Sequence, residues 1–180
     1  MSHHHLSLPR RVLPLALCGA VAAAGLLVSA SPAPAQSVLL LVVEAANAQP
    51  LDPPLPVREG LSATLFDAGC IVLDSPGAAA LPAPADAAKM ARSAGAEVAL
   101  EVATDYADVG IAKDLLRISA RTTYTLIDPS TSGVLARGTR TATNRDREKD
   151  VTRTVLGAEI GKDVAQLVRD YLDHHPVRGG

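Results

Sequence analysis

The chain has 180 residues, of which 48% are hydrophobic and 20% are charged, and its formal net charge at pH 7 is -2. These values are typical of one globular domain, and they exclude a polytopic membrane protein, a disordered acidic chain and a disulfide-rich miniprotein. Neither the charge balance nor the aromatic content of 2% supports nucleic-acid binding, which needs basic surface and rings that stack on bases.

The amino terminus has the three parts of a secretory signal peptide. Two arginines precede an apolar run over residues 12–28, and Ala-Pro-Ala at residues 33–35 supplies the small residues of a cleavage site. We therefore predict that residues 1–35 are removed and that a periplasmic protein begins at Gln36, with 15 basic and 19 acidic residues and a net charge of -4. The alternative is an uncleaved leader that anchors the protein in a membrane, because the run approaches the ~20 apolar residues of a membrane span.

The two cysteines do not point to a lipid anchor or to a disulfide. Cys18 follows Leu17, whereas a bacterial lipobox has Gly or Ala before its cysteine. Once the leader is removed, Cys70 is the only cysteine, so no internal disulfide can form. We predict that Cys70 is a small buried side chain at the start of a strand rather than a nucleophile, because residues 6–173 contain no histidine to act as its base.

The first half of the mature chain predicts strands that alternate with helices. Residues 37–44 form a short apolar run that favours a strand covered on both faces, and a proline-rich loop follows at residues 50–56. The apolar spacing over residues 56–68 predicts a helix with Pro56 in its first turn and Gly69 after its end. Residues 70–74 are predicted to form a second buried strand.

The next two elements are a short helix and a third strand. We predict a helix over residues 85–94 that turns Met90 and Ala91 inward and stops at Gly95. The strand covers residues 97–104, and its side chains alternate between two faces. One face holds Glu97, Ala99 and Glu101, and the other holds Val98, Leu100 and Val102.

The second half of the chain predicts an antiparallel hairpin and a final helix. Apolar and polar side chains alternate over residues 116–128, a turn follows, and residues 134–143 return as the partner strand. A charged connector then leads to a helix whose apolar stripe includes Ile160, Val164 and Val168. The order β-α-β-α-β-β-β-α predicts one α+β (mixed α/β) domain over residues 36–175, with a mixed sheet, packed helices and a flexible tail at residues 176–180.

Several of these segments together resemble a group of bacterial envelope proteins. Residues 55–65 with 69–74 are similar to a helix and strand of that group, residues 91–100 to its entry into a strand, and residues 118–121 with 126–136 to its strand, turn and returning strand. The group includes the amino-terminal domain of TolB, FlgO, CsgG and the lipoprotein activators of penicillin-binding proteins. The resemblance covers residues 38–172 and implies the fold of this group and a non-catalytic role in the cell envelope.

Acidic and histidine residues near the chain's predicted loops are candidate chemical sites. Adjacent His174 and His175 could bind a metal, but no cysteine or carboxylate cluster lies at ligand spacing, so we expect a solvated tail. A predicted loop after the third strand carries three carboxylates and a tyrosine: Asp105, Tyr106, Asp108 and Asp114. Paired acids can act in general acid/base catalysis, yet we expect a solvated hairpin tip, which is a candidate interaction loop. We predict no metal and no cofactor.

Four arginines on the predicted hairpin form a candidate partner-binding face. Arg117 and Arg121 share one side of the first strand, and Arg137 and Arg140 lie on the returning strand. Such a patch can receive a carboxylate or a phosphate group. The alternative is that they are outward residues, paired with acidic residues of neighbouring elements, as is usual in half-solvated antiparallel sheets.

Two functional hypotheses follow from the sequence. The first is an exported, non-catalytic envelope protein that acts as a periplasmic binding or assembly partner of another envelope protein or cell-wall component. In this hypothesis the protein is not an enzyme, and it meets a membrane only through its leader before cleavage. The alternative is a periplasmic small-ligand binder or a hydrolase whose site is not visible in the sequence.

Overall fold

The protein has the α+β fold that its element order predicts. A computed structural model describes residues 36–52, 55–75, 80–112, 115–144 and 153–175, so the predicted leader, Asp114 and the tail after residue 175 lie outside the described residues. The elements are β1 (Ser37–Ala46), β2 (Gln49–Pro50), α1 (Pro56–Asp67), β3 (Ile71–Asp74), α2 (Pro84–Ala94), β4 (Val98–Ala112), β5 (Leu115–Ile127), β6 (Val134–Thr143) and α3 (Arg153–His174).

Six strands form one mixed sheet in the order β2-β1-β4-β5-β6, and β3 lies beside the first part of β1. The pairs β1–β3 and β1–β4 are parallel, because α1 and α2 carry the chain back to its starting end. The pairs β4–β5 and β5–β6 are antiparallel hairpins. Parallel pairing across helices, followed by antiparallel pairing at the carboxyl-terminal end, confirms the prediction.

Helices α1 and α3 cover one face of the sheet, which we call the closed face. Its buried side chains come from alternate positions of β1, β4 and β5, and they pack against the apolar stripes of the two helices: Val38, Leu40, Leu100, Val102, Leu126, Leu61, Leu65, Ile160, Val164 and Val168. The two helices approach closely because glycines face each other. A Cβ atom at Gly60 would lie 2.3 Å from the Ala158 carbonyl oxygen, and one at Gly161 would lie 2.3 Å from that of Val57. No side chain fits between the two backbones.

Helix α2 packs against the other face, but only at one end. Alanines of α2 contact a small apolar cluster made by the first half of β1, the start of β4 and the end of β5: Leu39, Leu41, Ala87, Ala88, Ala91, Ala99 and Ile127. The helix stops at Gly95 in a left-handed conformation (φ 73°), as the sequence predicts. Met90, predicted to point inward, is 38% exposed because it lies beside the alanine stripe rather than on it.

The second predicted strand is not buried. Among the described strands, β3 pairs only with β1, so it lies at an edge of that sheet, and its Ile71 side chain is 52% exposed. Cys70, just before it, is partly rather than fully buried, and this burial raises the pKa of its thiol. A short apolar run has the same composition at an edge as in a sheet interior, which explains the error.

The antiparallel pair β4–β5 is longer than the sequence predicts. Strand β4 continues to Ala112, eight residues beyond the predicted end, and pairs with β5 along this whole extension. Asp105, Tyr106 and Asp108 therefore lie in a strand and not in a loop. The two aspartates interrupt the apolar pattern that identified the first part of the strand, because both are exposed.

Candidate functional site

The part of the sheet that α2 leaves uncovered is the candidate functional site, and we call it the open face. The strand registers place its central side chains in three rows across β4, β5 and β6, each row with one residue from each strand. The first row is Glu101, Thr125 and Arg137; the second is Ala103, Thr123 and Thr139; the third is Asp105, Arg121 and Thr141. Ser119, Thr143 and Arg117 continue the same face beyond the third row.

Side chains of the open face are polar and largely exposed. Apart from Glu101 and Asp105, they are arginines, small residues and hydroxyl-bearing residues, and the exposed ones include Arg121, Thr123, Arg137, Thr139 and Thr141. The sequence folds this way because residues at every second position of β5 and β6 are polar. The intervening positions of β5 are mostly buried on the closed face, and those of β6 are partly buried apart from the exposed Arg140. The strands therefore present hydrogen-bonding side chains on the open face, while their other face packs against α1 and α3.

Three of the four predicted arginines share the open face, and the fourth does not. Arg121 lies opposite Asp105 on β4 and Thr141 on β6, and Arg137 lies opposite Thr125. Arg140 lies opposite Thr122, which is fully buried on the closed-face side. Arg137 and Arg140 are separated by three positions, and an odd separation in a strand places two side chains on opposite faces. The predicted four-arginine patch is therefore corrected to Arg117, Arg121 and Arg137.

Glu101 is the buried acid of the open face. Only 6% of its surface is exposed, and its Oε1 atom has no hydrogen-bond partner among the described residues. Burial raises the pKa of this carboxyl group, and the nearby Arg137 guanidinium acts in the opposite direction. Glu101, Thr125 and Arg137 stand in one cross-strand row, so the arginine on β6 is the charge that faces this carboxylate.

A second buried carboxylate, Glu44, lies at the closed face, and the sequence reasoning did not select it. Its side chain is 2% exposed, and its two oxygens accept hydrogen bonds from the Tyr106 hydroxyl (2.8 Å) and the backbone N–H of Arg58 (3.1 Å). Arg58 belongs to the first turn of α1, whose N-cap residue Leu55 makes no side-chain cap. Glu44 therefore caps α1 from the neighbouring strand. The sequence signal for this role is a single acidic residue near the end of an otherwise apolar strand.

The environment of Glu44 shifts two pKa values. Burial raises the pKa of Glu44, and the hydrogen bonds from the Arg58 backbone and Tyr106 oppose this shift. The pKa of Tyr106 is also raised, first by burial and then by the charge of Glu44. The Arg153 guanidinium lies 5.7 Å from the centre of the Tyr106 ring, where its positive charge is favourable. Tyr106, a member of the predicted interaction loop, is 1% exposed and has this internal role.

The two exposed aspartates of β4 contact the turn between β1 and β2. Asp105 Oδ1 accepts a hydrogen bond from the Ala48 backbone N–H, and Asp108 Oδ2 accepts one from the Asn47 side-chain amide, both at 3.4 Å. Asn47 and Ala48 both have positive φ values, 50° and 63°, as a two-residue hairpin turn requires. These two hydrogen bonds therefore stabilise the turn. The register with β5 also places Asp105 on the open face.

The terminal histidines contact their own helix. His174 Nδ1 lies 2.6 Å from the Asp170 carbonyl oxygen, and the His175 ring stacks on Tyr171 with 4.4 Å between ring centres. In the described ranges, no group of three or more histidine, cysteine or acidic residues is placed to hold a metal ion. Within those same ranges, none of the helices combines the length and the apolar composition that a membrane span requires.

Comparison with known proteins gives structural similarity only. No protein-family model matches the sequence, and no curated protein matches it. Among solved structures, a PelC dodecamer from Paraburkholderia phytofirmans is similar with a TM-score of 0.50 and 22% identity, over 73% of this chain and 88% of that one. The hypothetical protein CT253 from Chlamydia trachomatis is similar with a TM-score of 0.53 and 12% identity, over 78% and 100%.

A third solved structure is lipoprotein GNA1162 from Neisseria meningitidis, with a TM-score of 0.48 and 16% identity, over 74% of this chain and 99% of that one. At these identities the likeness shows the fold alone. The resemblance of the sequence to the envelope group that includes TolB, FlgO and CsgG stays a prediction.

Proposed function

We propose that the chain is an exported, non-catalytic protein of the bacterial cell envelope that binds another envelope component through the open face of its sheet. One observation carries this proposal: alternate positions of β5 and β6 present exposed arginine and threonine side chains on a face that α2 leaves uncovered. The bound component is an envelope protein or a cell-wall component, as the resemblance implies.

Three of the perturbed pKa values among the described residues, those of Glu44, Tyr106 and Asp128, belong to groups with structural roles. Strongly perturbed pKa values often mark active sites. Here the pKa shifts of Glu44 and Tyr106 arise in a buried network that caps a helix, and the pKa of Asp128 is lowered by the hydroxyls of its own turn. Each of these shifts has a structural cause in the fold.

Export is the second part of the proposal. It is supported by the arginines, the apolar run and the Ala-Pro-Ala segment at residues 33–35. The test is the N-terminal sequence and intact mass of the protein recovered from a bacterial host. A product that begins at Gln36 without added lipid mass supports export by cleavage, whereas a full-length product in the membrane fraction supports the retained leader.

Site-specific photo-crosslinking in the periplasm tests the binding face. A photoreactive residue replaces Thr123 at the centre of the open face, and the matched control replaces Arg140 on the adjacent strand, which projects from the opposite side. We expect crosslinked adducts from position 123 and none from position 140. Adducts at both positions in equal yield, or at neither, contradict a partner bound to the open face.

A second candidate function, small-ligand binding, rests on a pocket beside α2. The pocket has a volume of about 120 Å³ and apolar walls that include Leu41, Val43, Leu81 and Met90. A thermal-shift screen against metals, nucleotides and sugars tests it, because a ligand that binds only the folded state raises the melting temperature. Leu81→Asp places a charged side chain in the wall of this pocket. If a ligand raises the melting temperature of the parent but not of this variant, the result favours small-ligand binding over the first candidate.

A further inference from the structure

We propose that an extended segment of a partner protein docks along the outer edge of β3 as an added strand, in the groove between β3 and α2. This surface lies on the β1 side of the sheet, away from the rows of the open face on β4, β5 and β6, and the inference goes beyond the proposed function without resting on it. It is drawn from the backbone groups of β3, the groove beside them and the apolar pocket that adjoins this groove.

The backbone of β3 is hydrogen-bonded along one of its two edges. The N–H groups of Ile71 and Ser75 donate to carbonyl oxygens of the β1 segment, at 2.8 and 3.3 Å. Because backbone groups alternate between the two edges of a strand, the N–H and C=O groups of Val72 and Asp74 point away from β1. In the described parts of the chain these groups have no hydrogen-bond partner. The edge therefore offers two donors and two acceptors to an added strand.

An open groove with a volume of about 560 Å³ lies between the end of β3 and α2. Its α2 wall has the spacing i, i+3, i+4 and i+7 of one helix face: Asp86, Lys89, Met90 and Ser93. This wall is about 10 Å long at ~1.5 Å per helical residue, and β3 is about 13 Å long at ~3.3 Å per residue. The groove therefore has the length of a short strand laid beside β3.

The α2 side of this edge is apolar. The pocket of about 120 Å³ beside α2 adjoins the groove, because Ser75 and Met90 line both. Cavities of roughly 150 Å³ hold a benzene-sized group, so this pocket has room for one aliphatic side chain. Leu73 packs against the α2 cluster, and Ile71, two positions earlier, lies on the same side and is 52% exposed. An added strand would therefore place apolar side chains here at every second position.

The unpaired backbone groups select the class of occupant. A lipid chain can fill the pocket, but it cannot form hydrogen bonds with N–H and C=O groups at strand spacing, whereas a peptide backbone does so. Hydrogen bonding by only two residues of β3 is little for a stable dimer of this chain, which normally needs ~1,000 Å² or more of buried surface. These features favour a short peptide segment over a lipid or a second copy.

Charge on the walls of the groove is balanced. Asp74 forms an ion pair with the Arg58 side chain of α1. On α2, the carboxylate of Asp86 and the ammonium group of Lys89 are three positions apart, so they lie close to each other on one helix face. Neither sign of charge is favoured in an incoming segment. We therefore expect a segment whose centre is uncharged and alternates apolar with small polar residues.

The experiment is a titration of the purified full chain with a short fluorescent peptide whose centre alternates leucine and threonine between Ser/Gly flanks. Two further peptides carry backbone N-methyl groups, one at its leucines and the other at its threonines. In an added strand only every second N–H faces β3. We expect the parent peptide to bind, one methylated peptide to bind about tenfold more weakly, and the other to stay within about threefold of the parent peptide.

Variants of the protein locate the binding site. Met90→Glu puts a charge into the groove from an exposed position and should weaken binding about fivefold. Ala85→Glu is the matched control, because Ala85 is exposed on α2 but does not line the groove, and it should change the affinity by less than about twofold. Val72→Pro removes an outward N–H at an edge position that tolerates proline, and it should also weaken binding about fivefold. Circular dichroism checks that each variant is folded, and Met90→Glu gives the test if Val72→Pro is not.

Any other outcome overturns the proposal. If the leucine peptide does not bind, the edge of β3 is not a docking site. If both methylated peptides bind equally well, the peptide is held by its side chains alone and not as an added strand. If Ala85→Glu weakens binding as much as Met90→Glu does, the peptide does not lie in the groove. If the chain forms dimers that Met90→Glu dissociates, the occupant is a second copy. The absence of crosslinks from position 123 would instead refute the proposed role of the open face.

Discussion

The two faces of one sheet have separate roles in this protein. On the closed face, Leu40, Leu100 and Leu126 are fully buried beneath α1 and α3, and a buried carboxylate caps α1. On the open face, Arg121 and Thr123 of β5 and Thr139 of the neighbouring β6 are exposed. Because side chains alternate along a strand, one stretch of sequence supplies both faces. We infer that stability lies mainly on the closed face, so substitutions on the open face can change binding without unfolding the protein.

The largest loss of stability is expected where α1 and α3 touch. Gly161→Ala places a Cβ atom 2.3 Å from the Val57 carbonyl oxygen, so the helices must separate. Overpacking of this kind costs about 3 kcal/mol of unfolding free energy, more than the helix propensity that alanine adds. Urea denaturation measures the change. Lys162→Ala, at the exposed neighbouring position, should stay within about 0.5 kcal/mol of the parent, and an equal loss in both variants would contradict close packing as the cause.

Removing the tyrosine hydroxyl at the closed face should cost less. Tyr106→Phe deletes the donor that bonds the buried Glu44 at 2.8 Å and leaves that oxygen without its partner. Hydrogen bonds to charged groups contribute about 2 kcal/mol, and we expect a loss of that order in urea denaturation. Tyr171→Phe is the matched control, because this tyrosine is only partly buried and its ring stacks on His175. A loss confined to Tyr171→Phe would show that Glu44 does not depend on Tyr106.

Glu44 should also make the stability of the protein decrease as the pH rises, which is the opposite of the usual effect of a carboxylate. Burial raises its folded pKa above the ordinary value of 4.5, so the folded chain binds this proton more tightly than the unfolded chain does. Its contribution is therefore fully present below about pH 4.5 and is lost as the pH rises through the raised pKa. We expect stability, measured relative to Glu44→Gln, to fall as the pH rises above about 4.5. Glu159→Gln, an exposed control, should keep the parent's profile, and parallel profiles for all three proteins would refute the raised pKa.

A small gain in stability is expected at the turn between β1 and β2. Ala48 has a φ value of 63°, which disfavours any residue with a Cβ atom, whereas glycine adopts it freely. Ala48→Gly should therefore raise the melting temperature, with a gain of about 0.5–1 kcal/mol in unfolding free energy. Ala45→Gly, two residues before the turn and inside β1, should lower it, because glycine weakens a strand interior. The same sign for both variants would mean that strain at residue 48 is not the cause.

The smallest effects on stability are expected on the open face. Arg121→Ala and Thr123→Ala remove exposed side chains whose neighbours stay solvated, so each should change the unfolding free energy by less than about 0.5 kcal/mol. Thermal denaturation measures this. A loss above 2 kcal/mol at either position would mean that the face supports the fold, which would remove the contrast between the two sides of the sheet.

Local sequence signals predicted most of the helices and strands. The position of β3 in the sheet and the length of β4 depend on long-range pairing. Pro56 and Gly95 marked helix ends correctly, and alternation over residues 116–128 identified β5. The edge position of β3 could not be predicted, because composition does not tell which strands flank a short apolar run. The length of β4 was missed because Asp105 and Asp108 pair with exposed turn groups that lie 57 and 61 residues away.

The candidate site was predicted in part. The alternation of β5 correctly placed Arg117 and Arg121 on one side of the sheet. The error concerned Arg140: an odd separation of three residues from Arg137 already predicts that the two side chains lie on opposite faces. Glu44 was not predictable as a cap, because its partners come from α1 and β4 and meet only in the folded protein. Tyr106 was assigned to a loop for the same reason: its contact is long-range.

The hydrogen bond between Tyr106 and Glu44 joins residues 62 positions apart, and this separation affects how the chain folds. Contacts between distant positions form slowly, because the intervening chain must first lose its freedom. Until β4 arrives, the carboxylate of Glu44 keeps its water, and α1 lacks part of its cap. A chain that emerges from a translocation channel with its amino terminus first would therefore hold β1 unfinished until more than sixty further residues have appeared. In the proposed export, periplasmic chaperones would have that interval in which to bind it.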